Sequence, residues 1–260
     1  MPIDRNHPIP LYFQLSEQIR EQIESGRLVP GEQLPSEREL GQQLGISRMT
    51  VRQAILYLVR QGRLEARQGI GTFVAEPKLT HDTWHLLGFT EEMLQLGQAA
   101  RSQVIEQVRA EPPPSVAGPL ELRPTETVTK IVRLRYSQDT PLLLETVYVP
   151  TALALGLEEE DLSQASLYQR LEAKYGLQLD HARQSLETIA ANEHEAELFE
   201  IAVGTTMLLL EGVTYTQTGQ PAEFFKTIYR GDKFKFEFES QRATGPAAQV
   251  SLPRLSVVMR

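Results

Sequence analysis

The sequence predicts an α+β protein in two parts, on three observations. In the first 75 residues a capped helix start, a glycine turn, a second helix and a glycine-tipped pair of short strands follow in order. Beyond residue 100, segments with strand periodicity outnumber helical ones, and short turns at Gln138-Asp139-Thr140 and Thr218-Gly219-Gln220 join two pairs of them. Turns that short connect antiparallel neighbours, so the second part is expected to be built around an antiparallel sheet. The chain has 260 residues, 41% of them hydrophobic, enough for one large core or two ordinary ones.

The first helix is expected over residues 10–26, where Leu11, Leu15, Ile19 and Ile23 recur at four-residue spacing and Gly26 ends the pattern. Pro35-Ser36-Glu37-Arg38-Glu39 is a helix start: Ser36 can cap, and Glu39, three residues on, completes a capping box. That helix stops at Gly45. Ser47 opens the next, with Val51, Ala54, Ile55 and Leu58 on its apolar face and Gly62 at its end. Residues 63–67 and 72–74 read as short strands around Gln68-Gly69-Ile70-Gly71. Together these make a domain over residues 1–75. Residues 76–89 read as a linker, with Pro77 and no clear period. A second domain is expected over 90–245, then a tail over 246–260. Its strands are predicted at 102–109, 127–137, 142–149, 182–189, 206–217, 222–230 and 233–239. Its helices are predicted at 90–96, 166–175 and 193–201, with Pro112-Pro113-Pro114 in a loop.

A net charge of -8 argues against a nucleic-acid binder until it is divided along the chain. Residues 1–78 hold ten Lys/Arg against nine Asp/Glu, and residues 79–260 hold sixteen against twenty-five. Within residues 38–67, six arginines face only Glu39 and Glu65. The positive charge is local, as a small DNA-reading face requires, and the acidic remainder repels DNA elsewhere. The absence of cysteine excludes disulfides, thiolate metal sites and a cysteine nucleophile. No apolar run approaches the roughly 20 residues of a bilayer span. The start, Met1-Pro2-Ile3-Asp4-Arg5, has no apolar signal core, so a cytoplasmic protein without membrane contact is expected. His81 and His85 are four apart but lack a third ligand at suitable spacing, so neither metal nor cofactor is expected. No phosphate loop or nucleophile elbow occurs.

Two short helices separated by Gly45-Ile46 form a helix-turn-helix pattern, whose second helix enters the major groove by its amino-terminal end. Arg48 and Arg52 are four apart and share a face distinct from the apolar stripe. A guanidinium fork can bond guanine O6 and N7 together or grip phosphate. Ser47 and Thr50 add hydroxyl donors in the first turn, and Gly69 and Gly71 let the hairpin tip approach the sugar-phosphate backbone. The bland alternative is a solvated helix face. The ordered series of signals, rather than any one of them, favours DNA.

In the second part, Arg133 and Arg135 lie with Ile131 on one face of a strand, Glu145 lies on a partner strand with Leu143 and Val147, and Glu223, Phe225, Thr227 and Tyr229 share a face of another. Buried arginines need partners. Either they pair with Glu145 and Glu223 as a structural network, or they meet an anionic ligand. Ser166 before Leu167-Tyr168, and Phe89-Thr90-Glu91, are helix starts that either cap or hold an anion.

The stretches Pro10-Leu11-Tyr12, 30–40, 46–54 and Gly69-Ile70-Gly71-Thr72-Phe73-Val74 resemble the GntR superfamily of regulators across the first 75 residues. That resemblance implies DNA contacts from Arg38, Arg48 and Arg52 with Thr50 beside them, and a wing tip at Gly69 in the minor groove. Ile70 departs from the pattern, since many members carry a basic residue there. From about Gly88 to Glu239 the chain is similar to the UTRA sensor of the HutC subfamily. Arg133-Leu134-Arg135-Tyr136, 141–146, Ser166-Leu167-Tyr168, Tyr175-Gly176-Leu177, 211–215 and Tyr229-Arg230-Gly231-Asp232 carry this similarity. It implies a chorismate lyase-like fold without catalysis. It also implies an effector site in which Thr90, Arg133, Arg135 and Ser166 hold an anion, and Glu145, Tyr168, Glu223 and Tyr229 contact hydroxyl or amide groups.

The expected function is that of a homodimeric repressor on an inverted-repeat, double-stranded DNA operator, controlled by a small anionic metabolite such as an amino-sugar phosphate. Rival readings are a chorismate lyase-like enzyme, a regulator sensing a non-phosphorylated organic acid, and an architectural DNA binder with an inert second domain.

Overall fold

A computed structural model describes residues 3–67, 69–82 and 86–238. Three helices open it: α1 (Leu11–Glu24), α2 (Glu37–Leu44) and α3 (Arg48–Arg60). The capping box is formed at α2. The Glu39 amide donates to the Ser36 hydroxyl at 3.3 Å, and the Ser36 amide donates to the Glu39 carboxylate at 2.9 Å. Gly45 then turns the chain with φ of 65°, a left-handed conformation that glycine adopts without Cβ strain. Ser47 caps α3 by accepting the Thr50 amide at 3.1 Å. A hairpin follows, β1 (Leu64–Arg67) against β2 (Gly71–Val74). Leu15, Ile19, Leu34, Val51, Ile55, Leu58, Leu64 and Val74 close one core, so the apolar stripe read from α3 is its buried face.

The stretch read as a linker contains a strand. β3 (Leu79–Asp82) pairs in parallel with a strand from the far end of the chain, at Phe234–Glu237. Lys78 reinforces the join, its Nζ donating to the Gly231 carbonyl at 2.7 Å. Four residues without alternation carry no local signal for a partner so distant in sequence. The expected tail over 246–260, His85 and Gln68 lie outside the described residues.

After α4 (Phe89–Gln95) come β4 (Ala100–Ala110), α5 (Pro114–Ala117), β5 (Val128–Ser137), β6 (Thr140–Pro150) and a 3₁₀ turn at Leu157–Glu159. Then follow α6 (Leu167–Ala173), β7 (Leu179–Ala190), α7 (Glu193–Phe199), β8 (Thr206–Thr216), β9 (Pro221–Arg230) and β10, the Phe234–Glu237 strand already met. The loop expected around the proline run gives way to α5, which begins at Pro114. A proline fits a first helical turn because its missing amide would have no partner there. The described strands β4-β5-β6-β9-β8-β7 make one antiparallel sheet in that order. Ser137 stands opposite Thr140, so Gln138 and Asp139 alone make the turn.

Both faces of the central strands are covered, while the edge strand β7 is exposed along most of its length. Phe89 and Met93 of α4 and Leu167 and Leu171 of α6 pack on Ile131, Leu143, Val147 and Phe225. On the other face Phe199 meets Leu134, Leu144, Met207 and Ile228, and Val116 and Leu120 meet Val128 and Phe224. The winged unit has its own core, so truncating one of its buried side chains should act there first. Leu58→Ala is expected to cost about 2–5 kcal/mol. Urea melts followed by amide exchange should show α1 and α3 opening while the sheet stays protected; equal loss of protection in both parts would contradict this.

Candidate functional site

Strand register assembles the site. Arg133 on β5 stands opposite Glu145 on β6, which stands opposite Thr227 on β9. Two rows along the same face, beyond Phe225, Glu223 on β9 stands opposite Thr214 on β8. With Thr214 supporting Glu223 from β8, Arg133, Glu145, Thr227 and Glu223 form the floor of a cavity of about 650 Å³. Its walls include Thr90 at the start of α4, Ser166 and Tyr168 at the start of α6, Tyr229 on β9 and His81 on β3. The eight residues expected to meet an effector, Thr90, Arg133, Arg135, Glu145, Ser166, Tyr168, Glu223 and Tyr229, thus all line one cavity.

The floor is an ion cluster. Arg133 donates to Glu145 through Nε at 2.9 Å and also through Nη2, a bidentate grip on one oxygen. Arg135 reaches the same oxygen at 3.3 Å, donates to the Thr90 hydroxyl at 2.7 Å and lies 4.7 Å from the centre of the Phe89 ring. Arg133 and Arg135 are only 1% and 2% exposed. Two cations on one anion leave a surplus positive charge. Burial, then the neighbouring Arg133, lowers the Arg135 pKa to about 10, which keeps it charged at neutral pH. Burial would raise the Glu145 carboxyl, but the two arginines together hold it below its usual range. Among the described residues, Arg133 Nη1 and Arg135 Nε are buried without a hydrogen-bond partner.

Glu223 forms the opposite pole. One of its oxygens accepts from the Tyr168 hydroxyl at 2.6 Å and from Thr214 at 2.8 Å, while Oε2 is buried and unpartnered. Burial pushes its pKa up to about 7, against the pull of those two hydrogen bonds. Tyr168 is itself pushed up, by burial and then by Glu223. Ser166 is already engaged. Its hydroxyl accepts the Gln169 amide at 3.2 Å, capping α6, and donates to Glu91 at 3.1 Å. Of the two readings the sequence left open, the internal ion network is present, with one donor of each arginine unpartnered among the described residues.

Sequence reasoning gave Thr214 and Glu92 no role, placed Thr227 on the Glu223 face and Glu91 at a helix start without assigning either a contact, and weighed His81 only as a metal ligand. His81 instead meets the buried Glu92 carboxylate at 3.0 Å and lies against the rings of Tyr229 and Phe236, at 5.4 and 4.7 Å between centres. No described group of three or more His, Asp or Glu is arranged to hold a metal. The His81 contact depends on the β3–β10 pairing, for which the sequence has no signal. Alternation alone put Thr227 on the face of Glu223, whereas Thr214 could have been found only from strand register.

The second candidate surface lies on the winged unit. An open groove runs between the starts of α2 and α3 and the hairpin, lined by Arg38, Arg48, Arg67 and residues 69–72. Arg38, Ser47, Arg48, Arg52 and Gly69 are exposed and Thr50 is half-buried. Arg48 donates to Glu37 at 2.8 Å, and Ser47 and Thr50 share a hydroxyl bond of 2.8 Å besides the cap. Gly69, with φ of 75°, turns the hairpin, and Ile70 beside it is 67% exposed.

The model of the family "Bacterial regulatory proteins, gntR family" matches residues 11–74, and that of the UTRA domain matches residues 95–235. The chain belongs to the gntR family of bacterial regulatory proteins. With its UTRA domain it is of the HutC type. The HTH-type transcriptional repressor NagR of Bacillus subtilis (strain 168) is 39% identical over 236 residues, which cover 91% of this chain and 97% of that one. The mannosyl-D-glycerate transport/metabolism system repressor MngR of Escherichia coli (strain K12) is 32% identical over 237 residues, covering 90% and 97%. Among solved structures, PhnF from Mycobacterium smegmatis aligns with a TM-score of 0.61 at 27% identity, over 88% of this chain and 99% of that one. The α+β class with a winged reader and a sheet-based UTRA domain is therefore established. This gntR-family chain is a transcription regulator and not an enzyme.

Glu223 makes stability depend on pH. Its folded pKa, about 7, lies above the ordinary carboxylate value of 4.5, so the folded state holds a proton that the unfolded state releases. Stability should fall as pH rises from about 4.5 to 7 and level off above that. Glu223→Gln should remove this component, so the melting temperatures of variant and wild type should diverge across that window. Parallel curves would show that Glu223 ionises normally.

Proposed function

We propose that this protein is a homodimeric cytoplasmic repressor that holds an inverted-repeat operator and releases it when the cavity takes a small anionic metabolite, with an amino-sugar phosphate favoured. The observation that carries this reading is that Arg133 and Arg135, each with a buried guanidinium donor unpartnered among the described residues, line a cavity whose other pole is Glu223, with an unpartnered oxygen of its own. A buried donor without an acceptor costs free energy that an entering anion would recover. Glu223, Tyr168 and Tyr229 would then meet hydroxyl, amide or amine groups at the far end. A sugar bearing an anionic group has both kinds of end. The names of relatives support sugar chemistry, since MngR is named for a mannosyl-D-glycerate system and another relative for fructoselysine utilization.

On the reader side, Arg48 and Arg52 would meet base edges, Arg38 with Ser47 and Thr50 the backbone, and Gly69 would bring the hairpin tip to the minor groove. Two copies related by a twofold axis impose a palindromic site. We divide the chain into a reader over 1–75, a linker over 76–89 and a sensor over 90–245. The effector would act through α4: Thr90 touches Arg135, and Glu92 of the same helix meets His81 on β3, which leads back to the reader. Release follows only if the effector prefers the state in which α4 and β3 hold the readers wrongly spaced.

The experiment is fluorescence anisotropy on duplex DNA from upstream of the protein's own gene, at fixed salt, with hexosamine phosphates and then other small anions titrated in. Release by a phosphosugar supports the reading. Specific binding that no phosphosugar alters would remove phosphosugars as effectors. Arg52→Ala should weaken operator binding by roughly 1–3 kcal/mol and relax base preference. Unchanged discrimination against scrambled DNA would remove Arg52 from the reader. For the cavity, Arg135→Gln is a cleaner variant than replacing both arginines, because Arg133 still neutralises the buried Glu145. It should abolish release while operator binding without effector stays within about threefold; normal release by the same anion would show that the pocket lies elsewhere.

A further inference from the structure

The exposed face of α3 carries an apolar residue at its centre that the charge argument does not use. Val51, Ala54, Ile55 and Leu58 are buried. At roughly 100° per residue, the direction opposite to them passes through Met49, Gln53, Leu56 and Arg60. Arg48 lies at the flank of that face, held by Glu37 at 2.8 Å. Met49 is 63% exposed, stands in the first turn between Arg48 and Arg52, and is flanked by charge. The fold does not need it there, since it belongs to no described core cluster.

We propose that Met49 is a specificity-determining residue that packs on the 5-methyl group of a thymine in the major groove, next to the bases or phosphates taken by Arg48 and Arg52. This rests on the DNA-reading role of α3 proposed above. The thymine methyl is the apolar group that the major groove presents, and it separates a T·A pair from the others by shape rather than by hydrogen bonding. Methionine suits the task, because its unbranched thioether adapts to a small apolar target at low strain. Leu56, also exposed, lies two turns further from the helix start, which is the end that meets base edges. Ile70 sits at the wing tip, and the minor groove offers no methyl group. Met49 is therefore the side chain placed to read one.

The full-length protein would first select its site from a random duplex pool. Each thymine in one half-site is then replaced in turn by deoxyuridine, which removes the methyl and nothing else. One position is expected to weaken wild-type binding about fourfold, the size of one buried methyl group. Met49→Ala should bind the thymine duplex more weakly by a similar factor and bind the thymine and uracil duplexes equally. Its melting temperature should match the wild type, because the side chain is exposed. Indifference of the wild type to every uracil, or an undiminished uracil penalty in Met49→Ala, overturns the proposal while leaving DNA reading intact. Failure to enrich any sequence would overturn the reading of α3 itself, and the inference with it.

Discussion

Two guanidinium groups share one carboxylate in the middle of the sheet, and the rest of the sensor is arranged around that imbalance. Arg133 and Arg135 are buried two residues apart on one strand, and Glu145 lies opposite on the next. A matched buried pair would approach neutrality; this trio keeps one positive charge in a low-dielectric wall. That surplus holds Glu145 ionised despite its burial. The carboxyl of Glu223 forms no ion pair among the described residues, and its burial outweighs two hydrogen bonds and the pull of Arg133 and pushes it the other way, to about 7. Two acids buried in one cavity thus differ in charge state because only one has arginine partners.

Such a cluster serves stability poorly on its own, since well-packed apolar residues fill the same volume without desolvation cost. Among the described residues its hydrogen bonding is only partly satisfied. One donor on each arginine lacks an acceptor, and one oxygen of Glu223 lacks a donor. Around them stand the apolar side chains of Phe89, Leu167 and Leu210, and surroundings of low polarity strengthen a hydrogen bond.

The cavity's contacts also extend beyond the sheet. Thr90 and Glu92 belong to the same short helix, one touching Arg135 and the other His81. His81 sits on a strand that β10 holds to the sensor, only a few residues after the reader's last strand, β2. The join between reader and sensor is thus pinned by main-chain hydrogen bonds, by Lys78 on Gly231 and by the buried contact of His81 with Glu92. The reader, for its part, needs only local chemistry: a capped helix, a glycine turn and a short cationic helix, closed on its own core.

The reader was legible in the sequence because every signal in it is local. Ser36 and Glu39 are three apart, Gly45 needs a left-handed turn, and the stripe of α3 repeats at helical spacing. The sheet's strands were legible for the same reason, through alternation and two short turns. The sequence by itself also paired Arg133 and Arg135 on one face, since strand geometry requires it. Tertiary structure alone decided what they meet. Register put Glu145 opposite Arg133 and Thr214 opposite Glu223, and a shift of one residue would have turned those side chains to the other face. It also decided that a featureless stretch becomes β3, since its partner lies at the far end of the chain and pairing over that distance leaves no periodic trace. Backbone preference and amphipathic period act within a few residues and can be read along the chain. Charge balance in a buried wall depends on which strands lie side by side, and only the fold sets that.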